Sequence, residues 1–454
     1  MKKQAFFIAL GLLCFFADES LVAQQINRDS LKSMSFIENG QVKIGVDLNL
    51  GGAITYIADV KNQENVINNT DWGRQVQMSF YSGPVPFEPD GKKASPNWIF
   101  IGWNPIQSGD VAGNRSKILA QRNDGKSIYV KCIPMHWPLN NVPGECYFES
   151  WITLNGNAIS VHARLVNMRP DTIQYPARGQ ELPAVYTNAP YHRLVTYRGS
   201  KPFTNDTVSL IANHNYPNTK NIQWAPFQAT ENWAANLNGA DYGLGIWNEG
   251  VQSFQGGYFG DDTYVGNSKS IATGYIAPGT TEVLDYNIVY DYNYTLILGT
   301  LNQIRGYVYQ HAVKQNPLQF KFDTSRSHWY YENTTDAGWP IKGALAVHLN
   351  QKAALQSPDI FWDAKDAPVL TIVAAYHGKA TSARVYWKKF NRDFDTNGIA
   401  FPVISDGKYH TYHVKLHSAA TYTGAMEGLK FLPDAGGNSQ PGDMVYVKSI
   451  GLGK

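Results

Sequence analysis

The stretch "CYFESWITLNGNAISVHARLV", Cys146 to Val166, decides the fold class. In its second half Ile159, Val161, Ala163 and Leu165 alternate with Ser160, His162 and Arg164, a period of two that gathers the apolar set on one side of a strand. A Gly-containing turn separates it from a similar segment before it, so the two read as neighbouring strands. Working outward, short alternating segments recur between breaks of Gly, Asn, Asp and Pro: "GQVKIGVDL", "AITYIAD", "SIYVKCI", "YGLGIWN" and "TEVLDYNIVY". Helix-period stretches are almost absent from Ser35 to Asp291. Strands at this density predict a large antiparallel sandwich over 35–291.

"TLILGTLNQIRGYVYQHAVKQ" is the exception, because Leu298, Leu301, Ile304 and Val308 stand at spacings of three and four. That pattern predicts a helix over 295–315. "NPLQF" breaks it, which sets a domain boundary near Asn316. Strand-like runs then resume in "ALAVHL", "VLTIVAAYH", "ARVYWKKF", "YHTYHVKL", "LKFLPD" and "MVYVKSI". The expected second domain, 320–454, is long enough for an eight-stranded jelly roll. The whole reads as all-β, two sandwiches joined by one helix.

The N-terminus, "MKKQAFFIALGLLCFFADESLVAQQ", has a basic start at Lys2 and Lys3, an apolar run from Ala5 to Phe16 and a small-residue exit near Ala23. This predicts an export signal over 1–23 and a periplasmic or extracellular protein, since the run is too short to span a bilayer. Cys14 lies in the run, but Leu13 before it fits lipoprotein processing poorly. Beyond the signal Cys132 and Cys146 remain, at the inner ends of two strands joined by a Pro-rich loop, and an oxidising compartment predicts that they are bonded.

Basic and acidic residues nearly balance, 39 against 37, with no basic run longer than two after the signal, which argues against nucleic acid and anionic membrane as partners. Aromatic residues make up 13% of the chain, including 12 Trp and 27 Tyr. Aromatic faces with amide and carboxylate edges suit sugar rings, although aromatics also favour strands. A polysaccharide or oligosaccharide is therefore the expected partner. No phosphate-cradling Gly loop, His-x-x-x-His pair or EF-hand loop occurs, so neither a cofactor nor a metal is expected.

Four polar and aromatic clusters carry the candidate chemistry. "NNTDWGRQVQMSFY" supplies Asp71, Trp72, Arg74 and Gln75, either as the floor of a sugar site or as a buried Asp71–Arg74 pair around a core Trp72. "NWIFIGWNPIQSGD" adds Trp103 and Asn104, and "QATENWAAN" adds Glu231 and Trp233. In "RGQELPAVYTNAPYHRLVTY", Glu181 stands between a turn and a rigid strand. Glu181 and Glu231 together are the pair that would bracket a glycosidic bond as acid and base or nucleophile. Each is equally able to be a structural anchor. Tyr191, His192 and Arg193 form a second option, a base beside a cation that neutralises a uronate for β-elimination. His136 in "PMHWPLNN" has only its loop position to suggest a role.

"GGAITYIAD" followed by "NVINNTDWGRQVQMSFY", then "CYFESWITLNGNAISVHARLVNM" and "PGTTEVLDYNIVY", resemble the galactose-mutarotase-like supersandwich. The resemblance covers about Ser35 to Asp291 and implies a twisted antiparallel supersandwich shared by aldose epimerases and by domains of glycoside hydrolases and polysaccharide lyases. It does not carry activity, since one fold hosts several chemistries. Where epimerases of this kind place a His, "QELPAVY" places Glu181, which suits acid/base attack on a glycoside better than ring opening. "SHWYYENTTDAGWP", "SPDIFWDA", "ISDGKYHTYHVKL" and "GDMVYVKSIGL" resemble the jelly-roll domains of secreted bacterial glycan-degrading proteins, which implies Trp329, Trp339 and Trp362 as sugar platforms. The leading reading is a glycoside hydrolase; the others are a polysaccharide lyase and a non-catalytic glycan-binding protein.

Overall fold

A computed structural model describes residues 33–211, 224–313 and 318–453. The expected signal over 1–23 and the boundary at Asn316 lie outside them. Cys146–Asn155 does pair with Ala158–Asn167 in antiparallel register, Ile159 opposite Leu154 and Leu165 opposite Phe148. These two strands lie inside a nine-stranded sheet, and Val289–Thr300 pairs on the far side of Ala158–Asn167. A seven-stranded sheet runs in the order Ala225–Gln228, Ser253–Phe259, Thr273–Pro278, Glu181–Asn188, Gln77–Ser79, Pro105–Ile106, Met135–His136. The protein is all-β and antiparallel, as its alternation predicts.

The chain divides into two compact units, and in the first the two large sheets meet face to face. Phe80, which follows Gln77–Ser79, packs edge-on against Phe148, Tyr290 and Tyr292 of the nine-stranded sheet. Thr187 of the seven-stranded sheet accepts a hydrogen bond from the Asn236 amide across the same gap at 3.0 Å. The opposite face of Glu181–Asn188, which carries Ala184 and Tyr186, therefore points away from the inter-sheet core.

The second unit comprises 313–454 together with 171–178 and 281–288, two segments that the sequence pattern assigns to the first domain. Its five- and six-stranded antiparallel sheets share one apolar core, with Leu370, Ile372 and Val447 from one and Val385, Trp387 and Phe431 from the other. The reassigned segments belong here for an electrostatic reason. Arg326 is nearly fully buried and forks onto Asp336 at 2.8 Å through both Nε and Nη2, while its Nη1 reaches Asp285 at 2.6 Å. Gln174 donates to both carboxylates. A buried guanidinium needs its carboxylates close, so the segments bearing Asp285 and Gln174 travel with it. In "TEVLDYNIVY" only Thr281–Glu282 and the residues from Val289 onward are strand.

The helix is shorter than expected. Val289–Thr300 is a strand that pairs along both edges, and the helix occupies Leu301–His311. "TLILG" satisfies its backbone in the sheet, and Thr300 ends the strand as an N-cap with a reciprocal Gln303 bond. Residues 314 and 315 lie outside the described set. The expected disulfide is absent as well: Cys132 and Cys146 are buried free thiols. Cys132 stands opposite Phe148, so Cys146 is its diagonal neighbour two residues along. Diagonal pairs lie roughly 7–8 Å apart, at or beyond the reach of a disulfide. Burial pushes both thiols well above their ordinary range.

Candidate functional site

The strand Glu181–Asn188 is irregular at its start. Ala184 faces Gln77 and Glu181 faces Ser79, so three steps on one strand match two on the other. That extra residue reverses the alternation and brings Glu181 onto the face of Ala184 and Tyr186. Tyr186 stands directly opposite Tyr275 on the next strand, their rings 4.8 Å apart. The Trp224 ring also lies 4.8 Å from that of Tyr275. Glu181 and three aromatic rings thus share one patch of the seven-stranded sheet.

Glu181 is buried, and among the described residues its side chain is bonded by hydroxyls alone. Tyr81 donates to its Oε2 at 2.9 Å, Tyr275 donates to Oε1, and Ser79 also bonds it. No cation is among these partners. Burial raises the carboxyl above its ordinary range, and the three hydroxyls only partly offset that. The Tyr186 hydroxyl is also buried and has no hydrogen-bond partner among the described residues. Burial first, then the charges of Glu181 and other neighbours, pushes this hydroxyl well above the ordinary tyrosine range. The indole nitrogen of Trp224 and Oε1 of Gln75 are two more buried polar atoms without a partner among the described residues.

"NNTDWGRQVQMSFY" borders this cluster, but most of its polar groups are occupied by protein. Asp71 accepts from the Gly73 amide and pairs with Arg74 Nε at 3.1 Å, both side chains nearly fully buried. Arg74 also donates to the Ile271 carbonyl and lies over the Phe259 ring at 5.7 Å. Gln75 donates to the Asp71 carbonyl, and Trp72 packs in a core with Tyr81 and Trp137. Arg74 is therefore a buried ion-pair member, not the exposed donor that a sugar floor would present. The stretch is architecture behind the site, and it contributes Tyr81 and Ser79 to it.

The other expected site residues fall elsewhere. Glu231 precedes a strand of the nine-stranded sheet and accepts five hydrogen bonds: from Arg305 at 3.2 and 3.1 Å, Tyr309 at 2.5 Å, Trp233 at 2.9 Å and the Phe203 amide at 2.8 Å. It anchors the helix Leu301–His311 and cannot serve as Glu181's partner. Trp233 is fully buried beside it. Trp103 is likewise buried and donates to Glu145, which His136 also meets at 2.9 Å, and Asn104 holds the Phe80 carbonyl. Arg193 pairs with Asp241 at 2.5 Å. His192 stacks on Tyr264 at 3.6 Å and bonds the Pro190 carbonyl; burial, then the neighbouring Arg193, holds it below the ordinary histidine range. Burial pushes Tyr191 up to about 12. With its cation committed and its tyrosine hard to ionise, this trio is poor equipment for proton abstraction. Trp329 and Trp362 are core residues of the second unit, and Trp339 is half-buried against that core.

Tyr81, Tyr186, Tyr275 and Trp224 are the members that the sequence reading missed. Tyr186 is in the quoted "LPAVY", two residues from Ala184, so alternation could have found it. The bulge that brings Glu181 beside it has no sequence signature. Among the described residues no group of three metal-ligating side chains converges, and no helix is long and apolar enough to cross a membrane.

No protein-family model matches the chain, and no curated protein matches it. Solved structures are similar over part of it. A putative aldose 1-epimerase from Escherichia coli K12 aligns with 59% of this chain and 99% of its own, at 11% identity and a TM-score of 0.36. A galactose mutarotase-like protein from Lactobacillus casei covers 58% of this chain and 99% of its own, at 12% identity and a TM-score of 0.37. A 4-alpha-glucanotransferase from Thermococcus litoralis aligns over 59% of this chain but only 37% of its own, at 9% identity and a TM-score of 0.32.

Proposed function

We propose that the first unit is a carbohydrate-active enzyme, a glycoside hydrolase in which Glu181 is the proton donor. The carrying observation is a buried carboxyl bonded by hydroxyls alone, beside a tyrosine hydroxyl without a partner among the described residues. A carboxyl raised by burial keeps its proton nearer neutral pH, as a general acid must when it protonates a leaving glycosidic oxygen. Tyr186 and the Trp224 indole are donors left for sugar hydroxyls. Read with the export signal, this describes a periplasmic or extracellular enzyme acting on an oligosaccharide or polysaccharide.

The test is Glu181→Gln assayed with a panel of neutral polysaccharides and aryl glycosides. Wild-type protein should release new reducing ends without an unsaturated product, and the variant should lose that activity by roughly a hundredfold or more while still binding substrate. An unsaturated product from wild-type protein would indicate elimination. Binding without any cleavage would leave a glycan-binding protein.

A further inference from the structure

The five-stranded sheet of the second unit differs from its partner sheet in charge. Its strands Gln319–Lys321, Leu345–His348, Val369–His377, Tyr409–Lys415 and Met444–Gly453 contain no aspartate or glutamate, but carry Lys321, Lys415, Lys448 and four histidines. The strands of the six-stranded sheet mix both signs, Glu332, Asp363 and Glu427 with Arg384, Lys388, Lys389 and Lys430. In a chain whose charges nearly balance, one sheet has become wholly basic. Leu370, Ile372, Tyr412, Val414, Val445 and Val447 fill the core, so alternation turns the intervening residues outward.

On that outward face Tyr446, Ala375 and Tyr409 stand side by side across three strands, since Ala375 pairs with Tyr446 on one edge and Tyr409 on the other. Adjacent strands lie about 4.8 Å apart, so the two tyrosine backbones are about 10 Å apart with a methyl group between them. Tyr409 is 50% exposed. Lys448 lies 6.0 Å from the Tyr409 ring, and His377 meets Tyr446 edge-on at 5.0 Å. The row alongside carries hydroxyls, with Thr411 and Ser449 flanking Val373. Asp406 and Asp443 lie just outside the strands; Asp406 accepts from the Lys408 amide and bonds the His410 ring, and Asp443 accepts from the Lys379 and Gln440 amides.

We infer that this face binds an acidic glycan, with Tyr409 and Tyr446 as ring platforms and Lys448 as the cation for a uronate or sulfate group. Ala375 between them is buried, so the tyrosine rings themselves offer the surface on which sugars would lie. The neighbouring hydroxyls suit a polyhydroxylated ligand, and a face without carboxylates repels none of its charges. This site is separate from the Glu181 cluster and does not depend on it.

The test is affinity electrophoresis of the full chain in native gels containing polygalacturonate, dextran sulfate or neutral dextran, with single-stranded oligothymidylate binding measured in parallel. Retardation by a polyanion, weakening as salt rises, is expected, with polygalacturonate and dextran sulfate separating carboxylate from sulfate recognition. Tyr409→Ala and Lys448→Glu, both changes of exposed side chains, should each weaken it roughly tenfold with unchanged melting. No retardation beyond that in dextran would overturn the inference, as would variants that migrate like wild type. Loss in Lys448→Glu alone would overturn the ring platform, and oligothymidylate binding as tight as polygalacturonate would overturn the glycan assignment.

Discussion

Glu181 and Glu231 are both buried carboxyls in one unit, yet their surroundings differ in kind. Glu231 lies under Arg305, with a guanidinium fork, a tyrosine, an indole and a backbone amide closing its acceptor sites. Glu181 has the three hydroxyls of Tyr81, Tyr275 and Ser79, and no cation. A charge that is fully paired holds structure. One that is buried among neutral donors binds its proton more tightly than a carboxyl in water does. The contrast marks Glu231 as an anchor and supports the proposal that Glu181 is the proton donor.

The sharpest way to break the comparison is to remove the anchor. Glu231→Ala leaves Arg305 beside an empty site and releases Tyr309, so it should cost about 3 to 5 kcal/mol, seen as a fall in melting temperature of roughly 10 °C. A variant that melts within about 2 °C of wild type yet loses activity would move Glu231 into the chemistry. Arg74→Ala tests the border of the site by the same logic and should cost about 3 kcal/mol, because Asp71 stays buried without its partner. Ligand affinity that falls while melting holds would make Arg74 a ligand contact.

Titration sharpens the contrast further. A carboxyl with a raised folded pKa binds its proton more tightly in the native state than in the unfolded chain. Its contribution is therefore complete below the ordinary value of 4.5 and is lost as pH rises through the folded value. The stability of wild type relative to Glu181→Gln should decline across that window, by about 1.4 kcal/mol for each unit of displacement. Denaturant unfolding of both proteins from about pH 4 to pH 8 checks this. A difference that grows with pH would mean that Glu181 is ionised and stabilised as the anion.

How much of this was legible in the sequence depended on distance along the chain. Local alternation was enough to find Ala158–Asn167 and its partners, because a period of two is written within a few residues. The same cue failed at Val289–Thr300, where an apolar run satisfied a helical spacing until two flanking strands claimed its backbone. Glu181 was found from its place before a rigid strand, but its neighbours come from Tyr81 and Tyr275, 100 and 94 residues away. The sequence leaves Glu231 open between acid and anchor for the same reason, since Arg305 and Tyr309 lie 74 and 78 residues on. Charged partners brought together by topology leave no local trace. A one-residue bulge leaves none either.

The smallest expected effect concerns Tyr186, and it separates a ligand contact from a packing residue most cleanly. Its ring packs on Tyr275, whereas its buried hydroxyl has no partner among the described residues. Tyr186→Phe keeps the ring and removes only the hydroxyl, so stability should hold or rise slightly, because a buried polar group without a partner is a net cost. If a sugar hydroxyl is what that group awaits, the variant should bind oligosaccharide about three- to tenfold more weakly, the worth of one neutral hydrogen bond of about 0.5 to 1.5 kcal/mol. Calorimetric titration and thermal melting on the same preparations measure both quantities. A Tyr186→Phe protein that binds as wild type but melts lower would show that the hydroxyl is satisfied within the fold, and the site would have to be rebuilt around Glu181 and Trp224 alone.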